Sequence, residues 1–595
     1  MFAFTLNKLG LNDGSEITPG PLTVICGPNN VGKSRSLKDI RDLCASRQQV
    51  RGKIILRIIT SVPQSLAELR QSYDVEMYLE ENRSWVFRSL EPELCSEYSV
   101  SGGSEWPKDY EIAFLRGQIN AQTHFLSTYG TAMFAFLTTE HRLQLVKESD
   151  SPSHENESSS ILQALYDCEK ETEQIIRRCV KNAFGCEVAL DFSVLNKLRL
   201  RVGPDFSQIP ADPRDAKPIF AKYPTLDDQG DGIRSFVGIV VALLAVHRSL
   251  FLIDEPEAFL HPPQAFRIGE FLAEQASNAR QIILATHSAD VLRGIISKTR
   301  NVTIIRMDRE GEKNAFKQLE PGRLKNVICD PLLSSARVLD GLFYSGAVVV
   351  EADSDARFYH TASHKHSPNL DLHFVNADNK QTVPRIVRLY HDMGVHAVGV
   401  VDFDILRSGG DFKKSLEELG ASEEDLRTTG EIRDAIGEIA KDASTEDRFN
   451  KVKEGVNAFA EKIRSAEIGF SSLGIERSEQ QEQFLRQVEN RIREIGESSK
   501  GWRKLKEEGR DALPLELQPR FDELWKICAK YGLLIVPTGQ LESMLTEYGI
   551  ERTTDKRSWL GKALTLVAGL TIDDSKYPWR FVKEIHSRLG QDWIS

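Results

Sequence analysis

The stretch Gly27-Pro28-Asn29-Asn30-Val31-Gly32-Lys33-Ser34 is suited to holding a phosphate. Its glycines let backbone N–H groups turn inward around an anion, Lys33 reaches the terminal phosphates, and Ser34 offers a hydroxyl to Mg²⁺. Gly27, Asn29, Asn30 and Gly32 belong to that loop, so ATP with Mg²⁺ is the expected occupant. Such a loop needs a second acidic strand for the metal and a base for the attacking water. "LFLIDEPEAFLHP" (250–262) offers Asp254 for the Mg²⁺ shell and Glu255 to polarise water. "QIILATHSADVL" (281–292) brings His287 to the place where a γ-phosphate would sit. A second set of acids lies further on. "SGAVVVEADSDARFY" (345–359) ends an apolar run in Glu351, followed by Asp353 and Asp355, and "HAVGVVDFDIL" (396–406) ends another in Asp402 and Asp404. Carboxylates brought together repel unless divalent metals lie between them, and hard oxygen ligands suit Mg²⁺ or Mn²⁺. Two such ions activate water and stabilise a leaving 3′-oxygen.

These residues need strand ends to hold them. Leu22 to Ile25 is an apolar, β-rich run, and "SRSLKDIRDL" after the glycine loop has helical spacing, so the frame is strand, loop, helix. Leu250 to Ile253 and the run before His287 read as further strands. "AMFAFLTTEHRL" (132–143) is another, and its Arg142 reads as a surface arginine rather than a phosphate contact. Ligands of a parallel sheet gather beyond the carboxyl ends of its strands, so Glu351, Asp402 and Asp404 converge if their strands are neighbours.

The chain has 595 residues, 41% hydrophobic and 27% charged, with a net charge of -11. That length calls for several domains, each with its own core. Eight cysteines occur without a C-x-x-C pair, which fits a reducing cytoplasm rather than a disulfide framework or zinc site. The N-terminal "MFAFTLNKLGLNDGSE" lacks the pattern of a signal peptide, and the longest apolar run, 236–246, reads as a buried helix rather than a membrane span. The acidic balance argues against a uniform nucleic-acid coat but allows a local basic groove. Breaks fall at the polar 147–160, at the charged 307–326, which reads as ending one strand and leading elsewhere, and at a charged helical region from 407 to about 520. Within the last, 482–495 has amphipathic spacing, and "SSKGWRKLKEEGR" (498–510) is basic and reads as a charged helix face, or one that tracks a phosphate backbone. The expected α/β organisation is an ATPase domain over 1–335, with a helical arm at about 147–200, then a second α/β domain over 341–595 with a helical insertion at about 407–530.

"GPNNVGKS", "DEPEAFLHP", "ATHS" and the long gap between Lys33 and Asp254 resemble ABC-type ATPases, especially the structural-maintenance-of-chromosomes and recombination group. That resemblance implies a nucleotide sandwiched between two subunits, hence a homodimer or a higher even-numbered assembly, with Gly230 and Gly232 in the signature loop. The arm helix at 159–184 would serve dimerisation or plain packing. The signature serine is missing, because Asp228 or Asp231 occupies its place, so binding is expected more firmly than fast turnover. The Glu and Asp-x-Asp pattern of the second half resembles a Toprim domain. The fusion is similar to the overcoming-lysogenization-defect family of nucleases, a build shared by the Gabija nuclease and some retron-linked effectors. The resemblance implies metal held by Glu351, Asp355, Asp402 and Asp404, a further acid at Glu542, and a phosphate-stabilising lysine at Lys576 or, second, Lys562. It also implies DNA as substrate, anti-phage defence as the setting, and a restraining partner that is a protein or a retron-type nucleic acid. Ala352 stands where the family has glycine.

Overall fold

The computed structural model of the chain describes residues 2–45, 52–63, 133–151, 160–319, 330–441, 500–550 and 556–590, less positions 195, 246–247 and 312, with short pieces between 68 and 130 and between 453 and 464. It divides into two units, Met1–Ser345 with Asp392–Gly394, and Gly346–His391 with Val395–Ser595.

Unbroken apolar runs make the first unit's central sheet. Leu22–Cys26 and Gln281–Ala285 are buried at every position, as are Phe134–Leu137 and the first four residues of Leu250–Asp254. Strands buried on both faces suit a parallel sheet. The six-stranded order is Lys313–Gln318, Thr303–Glu310, Leu22–Cys26, Gln281–Ala285, Leu250–Asp254 and Phe134–Leu137, parallel except for the first pair. Fully burying side chains such as Leu37, Ile40, Phe134 and Ile283 contributes about 1.5–3 kcal/mol each, which fixes the strand that precedes the glycine loop.

Two expectations change here. The charged stretch after Met307 does not lead away: Gly311, at φ 63, turns the chain back into an antiparallel hairpin, Arg309 opposite Asn314. The stretch at 147–200 is not helical throughout. Ile161–Asp167 and Lys170–Phe184 are helices, but Ser149–Asp150, Glu187–Asp191 and Lys197–Gly203 form an antiparallel sheet. The longer helix buries Ile176 and Val180, and the Phe184 ring meets Phe236 edge-on at 5.3 Å, so it packs on the buried helix Asp231–Ala245.

In the second unit, four parallel strands run in the order Leu372–Asn376, Gly346–Val350, His396–Val401 and Leu533–Ile535. The chain goes to one side of Gly346–Val350 with Leu372–Asn376 and to the other with His396–Val401. The order therefore reverses between the strands that end at Glu351 and Asp402. Such a reversal opens a crevice at the carboxyl ends, where α/β sheets bind ligands. Val348, Val350, Phe358, Tyr359, Trp559 and Trp579 belong to one core. The described insertion holds the helices Gly409–Glu418, Glu423–Lys441, Lys500–Glu508 and Gln518–Lys530. The amphipathic stretch 482–495 lies outside the described residues.

Candidate functional site

The glycine loop has the backbone its sequence calls for. Gly27 stands at φ 140 and Gly32 at φ 96, with Asn30 at φ 64 between them. A Cβ on Gly27 would come within 2.2 Å of the Met307 carbonyl oxygen, so no side chain fits there. Lys33 opens the helix Lys33–Cys44 and is buried. Its Nζ donates to the carbonyls of Gly27 and Pro28, each at 2.7 Å, so the ammonium is already folded over the loop. Burial lowers its pKa to about 8. Ser34 Oγ donates to Asp254 Oδ1 at 2.9 Å, which joins the hydroxyl and carboxylate expected to share Mg²⁺. This donor pair fits a hard cation that keeps several waters. Asn29 and Asn30 are exposed at the rim.

The residues after Asp254 are held from several sides. Glu255 adopts φ 48, a left-handed backbone that a glutamate rarely takes. Its side chain lies 3.5 Å from His287 Nε2. Burial and the Lys33 charge lower the His287 pKa, which favours the neutral imidazole. Glu257, which the sequence reading passed over, accepts from the His287 amide at 2.6 Å and from Thr286 Oγ1 at 2.9 Å. A third acid in "DEPEAF" was the available signal. Arg142 is neither on the surface nor aimed at a phosphate site: it is fully buried, and its guanidinium donates to the carbonyls of Asp254 and Glu255 at 2.6 and 2.9 Å.

The signature-loop residues separate by role. Asp228 caps its own turn, accepting from Thr225 Oγ1 at 2.7 Å, and Asp231 pairs with Arg234 at 2.9 Å. Each carboxylate therefore has a local cationic or hydroxyl partner. A Cβ on Gly232 would lie 2.6 Å from the Phe259 carbonyl oxygen, whereas Gly230 has open space.

In the second unit, Val350 pairs with Val400, which brings the two acidic strand ends side by side. The Asp402 amide donates to Glu351 Oε1 at 3.0 Å. Burial, reinforced by Asp404 and Asp355, raises the Glu351 pKa to about 7. Burial pushes Asp402 well above the usual carboxylate range, with Glu351, Asp355, Asp404 and Glu542 adding repulsion. Glu542 is buried in the short helix Leu541–Tyr548, beyond the last strand. Tyr359 sits under the same acids, its hydroxyl buried and without a hydrogen-bond partner among the described residues. A cluster of buried, mutually repelling carboxylates fits a hard divalent cation. Among the described residues, however, no three His, Cys, Asp or Glu side chains are arranged to hold a metal ion as they stand.

Two lysines that the resemblance did not name stand at Asp404. Lys380 Nζ and Lys506 Nζ each reach a different oxygen of Asp404 at 3.0 Å. Both charges lower the Asp404 pKa against the effect of burial. Lys576 is exposed, its amide bonded to the Asp573 carbonyl, and Lys562 is exposed on Lys556–Gly569. Lys380 follows an apolar strand in "FVNADNK", and Lys506 lies in the basic stretch 498–510, so both had a sequence signal.

Comparison with known proteins bears on the first unit. Residues 219–293 match the family described as "AAA domain, putative AbiEii toxin, Type IV TA system". The match spans the helix Asp231–Ala245, Asp254, Glu255 and His287. The first unit therefore combines a glycine loop of P-loop geometry with a segment similar to that family. Among solved structures it is similar to the SMC head bound to the C-winged helix domain of ScpA, at 13% identity over 54% of this chain and 99% of that one, TM-score 0.33. It is also similar to the SMC head domain from Thermotoga maritima, at 14% identity over 53% and 98%, TM-score 0.25. Likeness at that level carries no weight for function. No curated protein matches the chain. No helix among the described residues is long and apolar enough to cross a membrane.

Proposed function

We propose that this chain is an ATP-binding, divalent-metal-dependent DNA endonuclease of the overcoming-lysogenization-defect type, with an ATPase domain at about 1–335 and a Toprim domain at about 341–595. The observation that carries the reading is the pairing of Gly346–Val350 with His396–Val401, which sets Glu351 against Asp402 at the sheet reversal beside Lys380 and Lys506. A binder of nucleic acid gains nothing from carboxylates that would face phosphate. Glu351, Asp355 and Asp402 would hold Mg²⁺ or Mn²⁺, with Glu542 close by and Asp404 bridging to the two lysines. A bound divalent ion would supply a water of lowered pKa and shield phosphate charge. Lys380 and Lys506 would hold a phosphodiester by its oxygens, and Tyr359 would donate a hydrogen bond beneath the acids.

In the ATPase domain Lys33 and the loop amides would hold the phosphates, Ser34 and Asp254 the Mg²⁺, and His287 would contact the γ-phosphate. Glu255 would orient water. Turnover would be slow, and nucleotide or a partner (a protein or a retron-type nucleic acid) would regulate cutting, in cytoplasmic anti-phage defence. The deciding assay is plasmid nicking with Mg²⁺ or Mn²⁺, with and without ATP. Wild-type nicking that disappears in Glu351→Ala is the expected result, and an inert wild type in both metals would sink it.

One observation favours a second reading. Among the described residues the acidic strand ends form no ready-made metal shell, which suits a DNA-repair or recombination ATPase, or an ATP sensor, whose second domain only binds. ATP-dependent DNA binding without cleavage would select it.

A further inference from the structure

Arg142 spends all five of its N–H bonds inside the protein. Nε donates to Ser235 Oγ at 3.0 Å, Nη1 to the carbonyls of Leu137 at 3.3 Å and Asp254 at 2.6 Å, and Nη2 to Thr139 Oγ1 at 3.4 Å and the Glu255 carbonyl at 2.9 Å. No carboxylate pairs with it directly among the described residues. Its charge is balanced at longer range by Glu257, Asp254 and Glu255. Burying an unpaired cation is costly, and a neutral side chain could fill the same space. The fork does something a neutral residue could not. It grips two successive carbonyls, one of them on Glu255, whose φ of 48 is unfavourable for a residue with a Cβ.

The other end of the fork lies on a different element. Ser235 belongs to Asp231–Ala245, the helix that opens at the Gly230–Gly232 loop. One turn on, a Cβ on Gly238 would lie 2.5 Å from the Arg142 carbonyl oxygen, so helix and arginine are packed backbone to backbone. Gly232 likewise closes on Phe259, four residues beyond Glu255. A shift of this helix therefore reaches Glu255 through Arg142.

We propose that Arg142 is a positioning residue that ties the helix Asp231–Ala245 to Glu255, so that whatever engages the Gly230–Gly232 loop sets the aim of the water-orienting carboxylate. This rests on the reading of Glu255 given above. The test uses the full chain with Ser235→Ala, which removes one bond of the fork, and Arg142→Lys, which keeps charge but loses the planar grip. Hydrogen exchange is read on peptides covering 250–262 and 22–37, alongside ATP affinity and turnover. We expect exchange at 250–262 to rise roughly threefold or more in Ser235→Ala, with 22–37 unchanged. ATP affinity should stay within about twofold, while turnover falls roughly tenfold in Ser235→Ala and about a hundredfold in Arg142→Lys. Should Arg142→Lys fail to fold, Ser235→Ala decides. Wild-type exchange and turnover in Ser235→Ala would overturn the proposal, as would ATP affinity falling in step with turnover. An inactive wild type would instead remove the ATPase reading, and the exchange at 250–262 would still judge the clamp.

Discussion

Lys33 is the cation the loop lays across its own carbonyls, at 2.7 Å from each of two. Lys33→Ala should therefore abolish tight ATP binding in a calorimetric titration; affinity within a few fold of wild type would end the nucleotide reading. Glu351 yields a pH prediction. Its pKa rises from the usual 4.5 to about 7 without metal, so the folded protein holds that proton more tightly than the unfolded chain. Stability from this group is complete below pH 4.5 and is lost as pH rises through 7. A divalent ion that displaces the proton should thus bind about tenfold more tightly at pH 8 than at pH 6, and raise the melting temperature more at the higher pH. Equal metal-induced shifts at the two pH values would separate Glu351 from metal binding. For the lysines, Lys506→Met should cut any nicking activity by about a hundredfold through loss of phosphate charge stabilisation, and Lys576→Ala should leave it unchanged. The reverse outcome in the plasmid assay would restore the sequence-based choice.

At the scale of elements, close approaches decide more than motif letters do. Gly230 and Gly232 look equivalent in "DDQGDGIRS", yet only Gly232 faces a carbonyl at 2.6 Å. Gly232→Ala should lower the melting temperature of the first unit by a few degrees, since each 1 kcal/mol shifts a unit spanning Met1–Ser345 by roughly 1–2 °C. Gly230→Ala should change it by about 1 °C or less. Calorimetry of the two variants separates a packing glycine from an open one. The same reasoning explains what the sequence reading missed. Arg142 follows a strand in a polar turn, where a solvated arginine is the ordinary outcome. Its burial depends on Ser235, Asp254 and Glu255, which lie about a hundred residues away, and no local pattern reports such a partner.

For the whole molecule, the prediction is assembly. If the proposed nucleotide site is completed by a second subunit, Glu255→Gln, which would keep ATP uncleaved, should roughly double its mass in light scattering when ATP is added. A single mass with and without nucleotide, at micromolar concentration, would leave the signature loop without a partner. Glu351→Ala and Asp402→Ala should each leave that assembly and ATP binding intact while removing cleavage, because members of one catalytic set are not additive. A well-folded Glu351→Ala protein that nicks plasmid at the wild-type rate would hand the second unit to the binding-only reading.

What the sequence determined alone is local. The strand, glycine loop and helix around Lys33 are legible because backbone conformation there follows from glycine placement and an apolar run. The strand ends at Asp254, Glu351 and Asp402 are legible for the same reason: an acid after four or five buried β-formers marks where a sheet meets water. Which acids then touch, and which cations answer them, was decided only by the tertiary structure. Strand order put Glu351 beside Asp402, and chain crossings brought Lys380 and Lys506 to Asp404 from 24 and 102 residues away. Electrostatic partners are chosen by distance in space, and distance in space between such residues is set by how sheets order their strands, which sequence spacing does not encode.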